Sequence, residues 1–368
     1  MSLIKNWNIE DILTVALLPK MNWQMLGKTI EDFTSINDLF NSKFLPPYFK
    51  DTFRQSSLFE ESMDNARKSA EKQIDICRKK GFEIVTVWDE RYPKLLKEIV
   101  YPPSIIYVFG KLQPSDSLSI SIVGTRKNTM YGKITAERFA EYFANRDIIV
   151  TSGMANGIDS ISHNSALKAK GITYAVIASG LDCISSHYHR QNAKKIVDAG
   201  GAVISEYPCG VKAISPYFLQ RNRIISGISK ATIIIESAKK GGALNTARNA
   251  FEQQREVYAV PGRLSDAKSE GTNRLIKNNI ASPALSPEYI LDDLGFDNEF
   301  RLFDDKPSVK FDDPKEEKIF NTLNMEPMHV DEIASKSGIN ITELNVKLLE
   351  MEFKGTVKSL PGKHFIKS

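Results

Sequence analysis

The sequence predicts an α/β protein, with a parallel sheet covered on both faces, a helical segment before it and a winged helix after it. Three observations carry this. Val- and Ile-rich runs alternate with amphipathic segments of helix length from Leu118 to Gly262, the pattern of strands joined by crossover helices. Several runs stop at glycine just before a helix begins, which is how such sheets present a ligand site beyond the carboxyl ends of their strands. The tail from Asp312 holds three helical segments and two short strands around Pro361-Gly362, the content of a winged helix.

The elements follow in order. Residues 1–80 look helical and are expected to stand apart. Asn8 or Asp11 caps a first helix through Ile12, Val15, Ala16 and Leu18 that stops at Pro19. Ile30, Phe33, Ile36, Leu39 and Phe40 repeat at helical spacing, and Ser62 to Lys80 forms a further helix stopped by Gly81. Gly27 suggests a helix-hairpin-helix or sterile-alpha-motif-like bundle. Strands are expected at Phe82–Trp88, Ile105–Gly110, Leu118–Gly124, Asp147–Gly153, Ile172–Ser179, Gly201–Ser205, Ala231–Glu236 and Glu256–Gly262. Helices are expected at Tyr131–Asn145, Ile158–Lys170, Tyr188–Ala199 and Ala243–Gln254. The central domain spans 81–293. An acidic, aperiodic linker covers 294–311. The winged helix occupies 312–368, with helices opening at Pro314, Val330 and Ile341.

Composition bounds the function. The 42% apolar and 26% charged residues are those of a globular protein, so a disordered chain is excluded. No run is long and apolar enough to span a membrane and no export signal opens the chain, so no membrane partner and a cytoplasmic location are expected. Cys77, Cys183 and Cys209 lack metal-ligand spacing and fit a reducing compartment. His187 and His189 have the chemistry to hold a metal, but with no acidic or Cys partner nearby they read as part of a polar loop. Neither a metal nor a cofactor is expected. The net charge of +4 is unevenly spread: Leu118–Ile290 carries 22 Lys and Arg against 13 Asp and Glu. Attraction for anions is thus concentrated where the glycine turns lie.

Those turns carry the chemistry. Ser119–Val123 runs into Gly124-Thr125-Arg126, and Val150-Thr151-Ser152 runs into Gly153-Met154-Ala155-Asn156-Gly157. Glycine permits close backbone approach to an anion, and free N–H groups at a helix start favour negative charge. Arg126 adds a permanent cation. Phe218-Leu219-Gln220-Arg221-Asn222-Arg223, with Lys212 shortly before it, brings together a base-stacking face and two phosphate-pairing guanidinium groups. Lys240-Gly241-Gly242 is a third glycine turn at a strand end. One small ligand does not need so many anion sites, whereas a polyanion does.

These residues resemble the DNA-processing protein A family, also called DprA or Smf, of bacterial natural transformation. The resemblance is carried by Val123-Gly124-Thr125-Arg126, by Ser152 to Asp159 with His163, and by Ser179-Gly180-Leu181-Asp182. It continues through Ser205-Glu206, Arg221-Asn222-Arg223 with Ser229, Gly242, and Val260-Pro261-Gly262 with Gly271 and Asn273. It implies an extended Rossmann-like domain that binds single-stranded DNA as a homodimer and loads the recombinase RecA onto it, with a helical N-terminal domain and a C-terminal winged helix. The chain departs from the family pattern at Asn156, where Arg is usual, at Gly241-Gly242-Ala243 in place of Ser-Gly-Ser, and at Asn278-Asn279 in place of Gly-Ala. Asn156 removes a cation, which shifts weight to Arg126, Lys240 and the Arg221–Arg223 run.

The expected function is therefore a sequence-independent single-stranded DNA binder that protects incoming DNA and acts as a recombinase loader rather than an enzyme. Its contacts would come from Gly124, Thr125, Arg126, Ser152, Gly153, Asn156, Gly157, Lys212, Phe218, Arg221, Asn222, Arg223, Lys240, Gly241 and Gly242. The alternative is a phosphoribohydrolase-like nucleotide enzyme, with Gly241-Gly242, Thr246 and Glu252 as its motif or Asp159 and His163, four apart on one helix, as an acid–base pair. The third helix of the tail carries Glu343, Glu350 and Glu352 against Lys347 and Lys354, a poor match to a phosphate backbone. The isolated fragment 312–368 is expected not to retain duplex DNA in a filter or mobility-shift assay at physiological salt. Retention there would overturn that reading.

Overall fold

The computed structural model describes residues 6–42, 46, 49, 56–296, 311, 313–324 and 326–367. Most of the expected linker 294–311 lies outside them. The chain divides into two compact units, 1–294 and 295–368.

The first unit is built on a nine-stranded sheet: β1 (Phe82–Thr86), β2 (Ile105–Gly110), β3 (Ser119–Val123), β4 (Ile149–Ser152), β5 (Thr173–Val176), β6 (Ala202–Ser205), β7 (Ala231–Ile234), β8 (Glu256–Ala259) and β9 (Ser282–Pro283). Its order is β1-β2-β6-β5-β4-β3-β7-β8-β9. From β6 to β9 every pair is parallel. The edge is different, because β2 runs antiparallel to both β1 and β6. Phe82 and Phe109 pair edge-on across β1 and β2 with ring centroids 5.3 Å apart. At the other edge Pro283 ends the sheet with a residue that has no N–H to offer a further strand.

The central strands are short and buried along their length. Ile120, Ile122 and Ile233 are wholly enclosed, and each such side chain contributes about 1.5–3 kcal/mol by leaving water. A polar seam of Ser119, Ser121 and Ser229 crosses this core, and its three hydroxyls find partners. Ser229 Oγ lies 3.0 Å from Ser119 Oγ and 2.7 Å from Ser121 Oγ, and Ser121 donates to the carbonyl of Ile225. The seam pins the C-terminal end of helix Ser215–Gly227 to β3.

The N-terminal segment does not stand apart as its composition suggests. Asn8 caps helix Ile9–Ala16 by accepting from Asp11 N–H at 2.9 Å, and the Asp11 carboxylate returns to the Asn8 N–H. That helix, Trp23–Asp32, Ile36–Phe40 and the long Ser56–Lys80 share one core with Ile105, Tyr107, Ala175 and Val203 of the sheet. They cover its antiparallel end. Gln73 fastens them by bonding both the N–H and the carbonyl of Cys209, at 2.9 and 3.0 Å.

The second unit holds helices Pro314–Thr322, Val330–Ser337 and Ile341–Phe353 and a small sheet of Met328–His329, His364–Lys367 and Val357–Leu360. Ile319, Ile333, Leu344, Leu348 and Met351 form its own core.

Candidate nucleic-acid interface

The strand order reverses beside β3. The chain leaves β3 for β4, β5 and β6 on one side, then returns to place β7, β8 and β9 on the other. Such a reversal leaves a crevice outside the strand ends, and ligands of open α/β sheets collect there. A cleft of about 490 Å³ opens at this spot, lined by Gly124, Thr125, Arg126, Ser237, Gly241, Gly242 and Phe218. A second cleft of about 210 Å³ adjoins it, lined by Met154, Asn156, Ser179, His189 and Ala213. Arg126, Ala155, Phe218 and Arg221 line both. At the junction the guanidinium carbon of Arg126 lies 5.6 Å from the ring centre of Phe218, within cation–π range. Arg126 is exposed and Phe218 half-buried, so a cation and an aromatic face meet on an open rim.

The two glycine turns are packed on one another. Gly157 has φ +81° and ψ −131°, and a Cβ there would lie 2.4 Å from the carbonyl oxygen of Thr125 and 2.7 Å from the carbonyl carbon of Arg126. The Ile158 N–H donates to Thr125 O at 3.3 Å. Gly157 therefore sets the position of Arg126 from behind, and its expected role as a direct phosphate contact is corrected to support. Gly124 also has Ile158 behind it, 2.7 Å from where a Cβ would be, while its backbone borders the larger cleft.

Four more of the expected contacts are also engaged inside the protein, and of these Gly153, Arg221 and Asn222 border the clefts as well. Ser152 is wholly buried and donates to Ile122 O at 2.7 Å. Gly153 leaves room for two side chains, since a Cβ would lie 2.7 Å from Arg221 Nη2 and 2.8 Å from Asp159 Oδ2. Arg221 is only 4% exposed. It donates to the carbonyls of Gly153, at 2.6 Å, and of Val176, so its guanidinium ties the β4 and β5 ends to helix Ser215–Gly227. Asn222, also buried, donates from Nδ2 to Asn245 Oδ1 at 3.2 Å and links that helix to Ala243–Glu252. What they share is low exposure and partners within the protein: Ser152 on Ile122, Arg221 through Nη1 on Gly153 and Val176, and Asn222 on Asn245. Arg223 is half-buried and paired with Glu206, and it is not among the residues that line the two clefts. Thr125, Asn156, Gly241 and Gly242 remain at the cleft surfaces. Lys212 and Lys240 stand exposed on the flanking loops, outside the residues that line the two clefts.

Electrostatics agree with this division. Burial pushes the Asp159 carboxyl above its ordinary range, against the pull of Arg221 and the N–H groups of Ala155 and Gly153. Burial likewise lowers Arg221 to about 10, against the field of Asp159. His163 is driven down to about 3 by burial and by Arg221. Its Nδ1 lies 2.6 Å from Thr173 Oγ1, whose own proton goes to Val150 O. The Asp159–His163 acid–base pair is thus not assembled: one group serves the turn, and the other lies under the sheet. Glu252, the carboxylate of the hydrolase alternative, is the exposed last residue of helix Ala243–Glu252. That puts it roughly 15 Å along the axis from the glycine turn that opens the helix.

Two residues not expected from the sequence to be part of the site support or border the clefts. Glu236 is wholly buried and accepts from the Thr129 N–H at 2.9 Å and from the Thr129 hydroxyl, while its carbonyl accepts from Thr125 N–H at 2.9 Å. It therefore fixes the Thr125–Thr129 loop at the start of helix Met130–Ala144. The signal was a lone carboxylate closing the apolar run Ala231–Ile235. His189 is the other. It lies in the first turn of helix His187–Asp198 rather than in a polar loop, and its Nε2 is 3.2 Å from Asn156 Oδ1. Only tertiary structure joins those two.

In the second unit Lys347 of helix Ile341–Phe353 and Lys354, which caps that helix, are already engaged. Lys347 pairs with Asp313 at 2.9 Å and Glu350 at 2.7 Å, and Lys354 with Glu316 at 2.8 Å. Val346, Leu349 and Phe353 are exposed on the same helix. The surface offered is apolar and charge-paired.

The chain is similar to known proteins in both sequence and fold. A family model described as DNA recombination-mediator protein A matches residues 83–295, and one for the DprA winged helix domain matches 304–363. Protein Smf of Escherichia coli is 34% identical over 84% of this chain and 83% of its own. DNA processing protein DprA of Bacillus subtilis is 37% identical over 59% of this chain and 73% of its own. The X-ray structure of DNA processing protein A from Streptococcus pneumoniae superposes with a TM-score of 0.65 and 26% identity, covering 78% of this chain and 98% of that one. DNA processing protein A from Helicobacter pylori, a structure described for its single-stranded DNA binding mode, gives a TM-score of 0.52 and 28% identity over 58% of this chain and 95% of that one. With a family model over most of its length and relatives this similar, the chain belongs to the DNA processing protein A (DprA/Smf) family.

Proposed function

We propose that this protein binds single-stranded DNA without regard to sequence, in the cytoplasm and as a homodimer, and that it shields the strand and loads RecA onto it during recombination and transformation. The observation that carries the reading is the pair of adjoining clefts at the sheet's reversal point, joined at Arg126 over Phe218. A phosphodiester chain needs repeated backbone and cationic donors with an aromatic face between them. The backbone at Gly241-Gly242 takes one phosphate and Arg126 another. Phe218 stacks a base, and Asn156 meets the strand in the smaller cleft. The buried Arg221 and Asn222 hold this rim in shape. The single-stranded DNA binding mode of the Helicobacter pylori relative supports the choice of ligand.

Titration of labelled dT, dA and mixed oligonucleotides with salt varied tests the reading. Arg126→Ala is expected to weaken binding by about 1–3 kcal/mol on all of them and to flatten the logarithmic salt dependence by about 0.7, the loss of one phosphate contact on a single strand. Unchanged affinity in the Arg126→Ala, Phe218→Ala double variant would rule out this groove.

A further inference from the structure

The geometry points to His189 as a further nucleic-acid contact of this chain, one that takes up a proton as the strand binds. The inference rests on the single-stranded DNA reading above. His189 is held by its backbone N–H on Ser186 Oγ at 3.1 Å, and its ring reaches the smaller cleft beside Asn156 and Arg126. The Asn156 oxygen only accepts, so Nε2 carries the proton in that pairing, and Nδ1 is left to take a second. Position 156 here is a neutral amide, so an imidazolium would supply the cleft with a cation that its neighbour does not.

The free and bound states differ in what surrounds the ring. Partial burial and the charge of Arg126 both hold the imidazole below its ordinary value in the free protein. A phosphodiester between Arg126 and His189 offsets the field of the guanidinium and adds an anion beside the ring, so the bound value is higher. Affinity is then greatest below the free-state value and is lost as pH rises through the bound-state value. The other charged groups nearby are engaged elsewhere. Arg221 donates to the Gly153 and Val176 carbonyls, Asp159 accepts from Ala155 N–H, and Asp182 accepts from Gly210 N–H. On the same helix Arg190 donates to Ile184 O, His187 meets Gln191, and the Tyr188 ring lies 5.6 Å from His189. In the free protein Arg126 is the charge that acts on this ring, and an incoming phosphate opposes it.

The test is oligonucleotide binding by the full chain at constant ionic strength between about pH 5.5 and about pH 8, where only histidine changes charge unprompted. A one-unit rise in the imidazole value on binding corresponds to about a tenfold loss of affinity across that window. The parent is expected to show it, and His189→Gln to show a much flatter profile. Calorimetry at intermediate pH, in buffers of different ionisation enthalpy, should report net proton uptake for the parent and less for His189→Gln. Asn156→Arg, which installs a fixed cation, should bind more tightly at the alkaline end. Parallel pH profiles for parent and His189→Gln, or heats independent of buffer, would overturn the role of His189 while leaving DNA binding intact. Absence of binding by the parent at every pH would overturn both.

Discussion

Arg221→Ala should lower the unfolding free energy by about 3–5 kcal/mol, the cost of removing one partner from a buried charged network. The substitution leaves the carbonyls of Gly153 and Val176 without their donor. It also leaves Asp159, already pushed toward its neutral form by burial, without the guanidinium field that opposes that push. Arg221→Lys should recover part of the loss, because an ammonium can serve one carbonyl but does not reproduce the planar fork. Urea denaturation of both variants measures this. Arg126→Ala is the contrast: its side chain is exposed, so the unfolding midpoint should hardly move while oligonucleotide affinity falls. If Arg221→Ala kept the parent's midpoint and lost only DNA affinity, Arg221 would be a ligand-binding group after all and the strut assignment would fail.

That contrast shows where the sequence could be read and where it could not. The strands and the turns after them were legible because β-branched runs and glycine act locally. The place of the clefts was legible too, since such sheets leave their crevice beyond the strand ends. What residue type does not reveal is direction. Arg221-Asn222-Arg223 suggests three polar contacts, yet at 100° per residue Arg221, Asn222 and Ile225 share one face of helix Ser215–Gly227, and that face is buried. The helical phase of the Ile residues already pointed inward there. The antiparallel edge was hidden for another reason: the strands β1 and β2 were visible, but their partners are set by long-range pairing. His189 and Asn156 lie 33 positions apart, and no local pattern joins them.

The two kinds of glycine at the site should respond in opposite ways, and this gives the second large effect. Gly157→Ala meets two barriers at once. Its φ of +81° with ψ −131° lies in a region that L residues rarely adopt, at a cost of about 1–3 kcal/mol. Its Cβ would also press on the backbone of Thr125 and Arg126, and relieving such overpacking typically costs a further ~1–3 kcal/mol. Backbone cannot rotate aside as a side chain can, so the two turns must separate. A lower melting temperature and weaker oligonucleotide binding are both expected, because Arg126 moves with its turn. Gly242→Ala meets neither barrier. Its φ is −62°, and the space around a Cβ there is open. Removing a glycine at a compatible position stabilises a fold by about 0.4–1 kcal/mol through the unfolded chain. The folded protein leaves that space empty, so any harm from the new methyl must come from something that enters it. A Gly242→Ala variant at least as stable as the parent, yet weaker on DNA, would place a strand's phosphate against that turn. If it bound DNA as tightly as the parent, the phosphate assigned to Gly241-Gly242 would have to be moved toward Arg126.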